Sequence, residues 1–168
     1  MTEMRKFIIL LSISFSLLLT NCNAGSSAKS TTKDSTKVTE KDVDKLSSEG
    51  EVVSLTNEMF KKKIFNYGVN KEWKFEGDMP VIIDFYATWC GPCKMLSPRV
   101  DAIAKQFAGK IRVYKVDTDE EELLAQTFGI TSLPTLLFIP MEGQPQASSG
   151  LISKDELIKA VNNVLQVK

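Results

Sequence analysis

Apolar and polar residues follow each other along this chain in two different patterns, and each pattern predicts one type of secondary structure. Residues 81–86 form an apolar, β-branched run of strand length, which is expected for a strand covered on both faces. Directly downstream, Leu96, Val100, Ile103 and Phe107 recur at helical spacing. The patterns therefore predict a buried strand followed by an amphipathic helix.

The same alternation extends over the C-terminal two-thirds of the chain. Further strands are predicted at residues 52–55, 111–116 and 135–139, with a weaker one at 146–149. Helices are predicted over residues 56–67 and 118–129 and from residue 153 onward. The last two begin with a capping-box pattern, Thr118-x-x-Glu121 and Ser153-x-x-Glu156. Strands and helices in this order predict an α/β domain.

The N-terminal segment has a different composition. Arg5 and Lys6 precede an apolar stretch over residues 7–20, which has the length of a signal peptide and is short for a transmembrane helix. The stretch ends at Cys22 in a sequence that resembles a bacterial lipoprotein box. We therefore expect residues 1–21 to be a lipoprotein signal peptide and Cys22 to be lipidated. The alternatives are cleavage after Ala24, which gives a secreted soluble protein, and an uncleaved anchor.

Residues 22–50 are rich in Ser, Thr, Lys and Asp and contain few apolar residues. A segment of this kind cannot bury enough apolar surface to order itself. We predict a disordered, flexible tether here, with a weak helical pattern at 38–46. Residues 51–168 are then one domain of adequate size for a single core.

Charge and composition narrow the function classes. The chain carries 21 basic and 21 acidic residues and has no histidine. A balanced charge gives no electrostatic signal for nucleic acid, and no Gly-rich phosphate loop is present. Because histidine is the commonest general base and metal ligand, its absence argues against many catalytic and metal sites. We expect no nucleic-acid partner and no metal.

The chemistry concentrates in one short loop, which contains Cys90 and Cys93, two of the three cysteines. A Cys-x-x-Cys pair can be half of a zinc site, a structural crosslink or a redox centre. A closed zinc site needs four ligands, and a crosslink over so short a loop removes little chain entropy. The position between a strand and a helix favours the redox interpretation.

The position of the pair has a chemical consequence. Cys90 precedes the predicted helix, where free backbone N–H groups and the helix dipole stabilise a thiolate. Pro92 lacks an N–H, which suits a first helical turn. Cys90 is therefore expected to attack first, and Cys93, deeper in the helix, to resolve the mixed disulfide.

Residues 84–94, Asp-Phe-Tyr-Ala-Thr-Trp-Cys-Gly-Pro-Cys-Lys, resemble the active-site motif of the thioredoxin family. The resemblance runs from about residue 52 to 165. Pro98 matches the family's helix-kinking proline, Pro134 its cis-proline and Gly150 the glycine that lines its substrate groove. The resemblance implies the thioredoxin fold, a central mixed β-sheet flanked by helices, here preceded by a signal peptide and a tether.

The resemblance also implies roles for individual residues. Cys90 corresponds to the attacking thiol and Cys93 to the resolving thiol. Asp84 corresponds to the buried carboxylate that accepts the Cys93 proton, and Lys115 to the lysine near that carboxylate. The residues implied to line the substrate groove are Trp89, Gly91, Pro92, Leu133, Pro134 and Gly150.

Two features depart from the family pattern. Thr118 and Ser149 stand where thioredoxins usually have apolar groove residues, so a more polar groove is expected. The connection over residues 66–79 is longer than usual, and its Trp73 and Phe75 are interpreted as a packing anchor, with a partner surface as the alternative.

These observations predict a thiol–disulfide oxidoreductase that reduces protein disulfides in the periplasm, lipid-anchored to a bacterial membrane. It is expected to be monomeric and to need no cofactor beyond the Cys90–Cys93 disulfide. Its partners are expected to be disulfide-bearing client proteins and a membrane electron donor or oxidant. The alternatives are a disulfide-forming oxidase or isomerase in the same compartment and a redox-inert binding module.

Overall fold

The computed structural model describes residues 40–168, which contain five helices and five strands. The predicted signal peptide, Cys22 and the tether as far as residue 39 lie outside the described residues. In chain order the elements are α1 (Glu40–Ser48), β1 (Val52–Ser54), α2 (Asn57–Lys63), β2 (Val81–Tyr86), α3 (Gly91–Gln106), β3 (Arg112–Asp117), α4 (Glu122–Thr127), β4 (Thr135–Ile139), β5 (Gln146–Ser149) and α5 (Lys154–Asn163).

The five strands form one mixed sheet in the order β1-β3-β2-β4-β5. β1, β3 and β2 run parallel, whereas β4 is antiparallel to β2 and β5 is antiparallel to β4. The central strand β2 is buried from Val81 to Phe85, which agrees with its continuous apolar run. The predicted fold class, a mixed sheet flanked by helices, is confirmed.

The side chains of β2 alternate between the two faces of the sheet, and each face carries its own apolar core. Ile82 packs with Leu96 of α3 and Leu157 of α5. Ile83 packs with Phe60 of α2 and with a second cluster that includes α1 and α4. By the same alternation, Asp84 is directed to the face covered by α3, the helix that carries the cysteines.

The folded region begins earlier than the predicted boundary at residue 51. Residues 40–48, which were assigned to the disordered tether but overlap the weak helical pattern at 38–46, form α1, and Val43 is buried in the core. Asp44 accepts a hydrogen bond from Lys63 Nζ at 2.6 Å, and Arg112 donates to the Asp44 carbonyl and to Ser47 Oγ. One apolar anchor and several long-range polar partners therefore order a segment whose composition is polar.

Two predictions about helix ends are wrong. The Thr118–Glu121 pattern does not form a capping box, because Thr118 Oγ1 donates to the Tyr86 carbonyl and a Glu121 carboxylate oxygen accepts from Asn57 N at 2.9 Å. α2 ends at Lys63 instead of continuing to about residue 67.

The capping box at the start of α5 is confirmed. Ser153 Oγ accepts from Glu156 N at 3.2 Å, and Glu156 Oε2 accepts from Ser153 N at 2.7 Å. Together these two hydrogen bonds satisfy two backbone donors and fix the start of the helix.

The long connection between α2 and β2 is held against the core. The Trp73 ring lies 4.8 Å from the Phe65 ring and 6.5 Å from the Phe128 ring, between centroids. Glu76 N donates to the Ile64 carbonyl at 2.9 Å. These contacts agree with the interpretation of Trp73 as a packing anchor. Within residues 40–168, no helix combines the length and apolar character needed to cross a membrane.

Candidate active site

The two cysteines lie where β2 gives way to α3, and they form a disulfide. Cys90 is the N-cap of α3, and Cys93 N donates to Cys90 Sγ at 3.2 Å. Gly91 and Pro92 occupy the first turn between them, where the missing N–H of proline costs no helical hydrogen bond. The backbone N–H of Cys93 and the dipole of α3 stabilise negative charge on Cys90 Sγ once the disulfide is reduced.

Asp84 is buried in β2 and is 5% exposed. Its Oδ1 has no hydrogen-bond partner within the described residues. Burial and, to a smaller extent, the negative charge of Asp101 raise the pKa of Asp84 to about 7, against the opposing effect of the Lys115 ammonium. A carboxyl group with this pKa exchanges protons near neutral pH.

A cavity of about 160 Å³ lies between Asp84 and Cys93. Asp84, Cys93 and Lys115 all line it, together with Ser97 of α3. Lys115 is the register partner of Asp84 on the neighbouring strand β3, and its Nζ lies 6.0 Å from the centre of the Tyr86 ring. The cavity is large and polar enough to admit water, so a proton can pass between the thiol and the carboxylate.

Leu133, Pro134 and Gly150, which are predicted to line the substrate groove, follow α4 and are linked to one another. The Leu133–Pro134 peptide bond is cis, and Leu133 packs against the two cysteines. Gly150 N donates to the Pro134 carbonyl at 2.8 Å, with φ of 92° at Gly150. A methyl group added at Gly150 would meet no atom within 4 Å, so its Cα faces open space.

Trp89 is 70% exposed, so it is not a core residue. Its Nε1 donates to Asp119 Oδ2 at 2.8 Å. Asp119 was not among the predicted site residues, although it stands in an acidic run that follows β3. Of the two polar departures, Thr118 is half-buried, and Ser149 is exposed and hydrogen-bonded to Thr135 Oγ1 at 2.9 Å.

Comparisons with known proteins agree with this geometry. The thioredoxin family model matches residues 51–163. The chain belongs to the thioredoxin family. A thioredoxin of Borreliella burgdorferi is 52% identical over 103 residues, which cover 61% of this chain and 88% of that protein. A thioredoxin of Rickettsia felis is 37% identical over 109 residues, covering 65% and 94% of the two chains.

Solved thioredoxin structures also superpose on about two-thirds of this chain. Chloroplastic thioredoxin z aligns with a TM-score of 0.58 at 26% identity and covers 69% of this chain and 96% of its own. A thioredoxin of Malassezia sympodialis aligns with a TM-score of 0.55 at 36% identity and covers 67% and 90% of the two chains. α1 precedes the first residue matched by the thioredoxin family model.

As a member of the thioredoxin family, the chain is a thiol–disulfide oxidoreductase, an enzyme of the protein-disulfide reductase type that acts on disulfide-bearing proteins. Thioredoxins need no cofactor beyond the redox-active disulfide. Within residues 40–168, no cluster of three or more cysteine, aspartate or glutamate side chains could hold a metal ion.

Proposed function

We propose that this thioredoxin works outside the cytoplasm of a bacterium, anchored to a membrane through lipidated Cys22, and that it reduces disulfides of client proteins there. The proposed reduction of disulfides rests on three structural features that occur together. The Cys90–Cys93 disulfide lies at the N-cap of a helix, Leu133 of the cis Leu133–Pro134 bond packs against the cysteine cluster, and Asp84 shares a cavity with Cys93.

The reduction proceeds in two exchange steps. The Cys90 thiolate attacks one sulfur of the client disulfide, a Cys90–client disulfide forms, and the other client sulfur leaves as a thiolate. Cys93 then gives its proton to Asp84 and attacks Cys90 Sγ. The second client sulfur leaves, and the Cys90–Cys93 disulfide forms again. Two electrons pass to the client, which takes up two protons.

The proton balance explains why Asp84 suits this reaction. With a pKa of about 7, roughly half of its population is ionised and able to accept a proton at neutral pH. Closure of the Cys90–Cys93 disulfide thus requires no base from bulk solvent at the moment of attack. Lys115, across the strand pair, stabilises the ionised form.

The location rests on the N-terminal sequence. Two basic residues, an apolar stretch over residues 7–20 and Cys22 resemble a bacterial lipoprotein signal. An oxidising compartment would leave the cysteines as a disulfide unless a membrane reductase returned electrons to them. We therefore also propose a membrane electron donor as a partner.

Lipidation is tested by metabolic labelling of the full-length protein with a fatty-acid analogue. We expect label on the wild type and none on Cys22→Ser, with the variant lost from the membrane fraction. Equal labelling of both proteins, or none on either, would contradict lipidation at Cys22. No label on either protein, together with protein in the culture medium, would indicate a secreted soluble protein.

The direction of electron flow is tested by trapping thiols in living cells. We expect Cys90 and Cys93 to be mostly reduced. Mostly oxidised cysteines, together with missing disulfides in client proteins after deletion of the gene, would support the oxidase alternative. A Cys93→Ala variant is expected to accumulate mixed disulfides with clients, and their absence would contradict the resolving role.

A further inference from the structure

Residues 150–153 form one wall of the predicted client groove, and the backbone of this wall is held by hydrogen bonds at several points. Gly150 N donates to the Pro134 carbonyl, and Ser153 is held by its capping box with Glu156. Residues 150–153 between these points contain no helix or strand. The backbone beside Pro134 thus depends on a few hydrogen bonds for its position.

One of these hydrogen bonds comes from the helix that carries the cysteines. Arg99 of α3 donates from Nη1 to the carbonyl oxygen of Ile152, and Arg99 is half-buried. The guanidinium also lies near the carboxylate of Glu156, whose pKa is lowered mainly by Ser153, with smaller contributions from Lys159 and Arg99. Arg99 therefore links α3 to the segment that follows Gly150.

The geometry points to Arg99 as a positioning residue for the client groove. It ties the Gly150 wall to the active-site helix, so that the groove keeps a fixed width beside Cys90 while a client chain is bound. A charged donor to a backbone carbonyl is among the stronger protein hydrogen bonds. Exposed Leu151 lies in this segment, between Gly150 and Ile152.

This inference rests on the proposed exchange between Cys90 and a protein disulfide, and it adds a requirement that differs between substrates. A protein client needs the groove wall because its backbone lies along it. A small aromatic disulfide reaches Cys90 without that wall. Loss of Arg99 should therefore impair protein substrates more than small ones, mainly through KM.

The experiment compares two substrates on the same full-length enzyme. Reduction of insulin disulfides and reaction with dithiobis(nitrobenzoate) are measured for the wild type, Arg99→Met, Arg99→Lys and Lys105→Met. The last is a matched control, because it removes a positive charge from an exposed position in the last turn of α3. The ratio of the two kcat/KM values cancels any loss of folded protein.

We expect this ratio to fall about tenfold in Arg99→Met through a higher KM for insulin, and about twofold in Arg99→Lys, which keeps one donor. Lys105→Met should keep the wild-type ratio. An unchanged ratio in Arg99→Met, or equal falls in Arg99→Met and Lys105→Met, would overturn the inference. If Arg99→Met does not fold, an unchanged ratio in Arg99→Lys with an unchanged KM overturns it too.

Failure of the underlying reaction gives a different result. A wild-type protein that reduces neither disulfide would overturn the proposed function and the inference with it. A wild type that reduces both disulfides, with no change in ratio in either Arg99 variant, would overturn only the role of Arg99.

Discussion

Two charged side chains on neighbouring strands, buried Asp84 and half-buried Arg112, lie in opposite electrostatic environments. Asp84 lies in β2, the strand that precedes the reactive cysteines. One of its carboxylate oxygens has no hydrogen-bond partner within the described residues. Arg112 begins β3, and its register partner is Val81 at the other end of β2. It donates to both carboxylate oxygens of Asp78, at 2.8 and 2.9 Å.

The two environments move the ionisation equilibria in different directions. Burial raises the pKa of Asp84 to about 7, whereas hydrogen bonding and the charge of Arg112 hold the pKa of Asp78 below its ordinary value. The unpaired carboxylate destabilises the fold at neutral pH and can accept a proton. The paired guanidinium fixes α1 and the start of β3. The difference separates a group positioned for chemistry from one positioned for structure.

The largest effect on activity is expected from Cys90→Ser. A hydroxyl group cannot form the mixed disulfide, so insulin reduction should fall to the background rate. The turbidity of reduced insulin chains measures this. Arg112→Met is the control, because Arg112 pairs with the opposite end of β2 from the cysteines, and it should keep the wild-type rate. Substantial activity in the serine variant would show that Cys90 is not the attacking sulfur.

The next largest effect is expected on stability in Asp84→Asn. The difference between a folded pKa of about 7 and an ordinary value of 3.8 corresponds to about 4 kcal/mol. Because the folded pKa is raised, the wild type is relatively most stable below pH 3.8 and loses this stability as the pH rises towards 7. The asparagine variant should therefore be more stable than the wild type at pH 8, by up to about 4 kcal/mol.

Urea unfolding between pH 4 and pH 8 measures this difference. The advantage of the asparagine variant should shrink to less than about 1 kcal/mol at pH 4. Asp101→Asn, which removes a carboxylate from an exposed position on α3, should change the stability by less than about 1 kcal/mol. Equal stabilities of Asp84→Asn and the wild type at pH 8 would contradict an unpaired, buried carboxylate.

The same substitution should slow the resolving step. Without the carboxylate, Cys93 loses its nearby proton acceptor, and general-base assistance of this kind is typically worth about 100-fold or more. Since water can partly replace the base through the cavity, we expect the mixed disulfide to persist about 10- to 100-fold longer at pH 7. Quenched-flow alkylation with a peptide disulfide measures its lifetime, and an unchanged lifetime would remove Asp84 from the mechanism.

The smallest of these effects is expected for the substitution of Arg112, which affects stability. Arg112→Met removes hydrogen bonds to Asp78, Ser47 and the Asp44 carbonyl, which should cost about 2 kcal/mol of unfolding free energy. Denaturant unfolding measures the loss, with exposed Lys110→Met as the control. A fall in insulin reduction without a fall in stability would show that Arg112 also serves catalysis.

The sequence predicted those parts of the fold that depend on local patterns. The apolar run of β2, the helical spacing in α3 and the Ser153 capping box each rest on neighbouring residues, and the structure contains all three. The placement of Cys90 at the N-cap follows from the same patterns.

Features that depend on distant partners were predicted weakly, as with the helical pattern at 38–46, or not at all. α1 has a polar composition, and its order comes from Val43 in the core and from Lys63 and Arg112 in other elements. The Thr118 capping box failed because Glu121 binds Asn57, which lies 64 residues away. The Trp89–Asp119 contact likewise joins two loops 30 residues apart.

The most direct test of the comparison is a titration of the individual side-chain carboxyl groups by carbon-detected NMR in the oxidised protein. We predict that Asp84 titrates with a pKa of about 7 and Asp78 with a pKa below 3.8 in the same sample. Titration of both groups near 3.8 would contradict the account, because Asp84 would then be an ordinary carboxylate without the proton affinity that the resolving step requires.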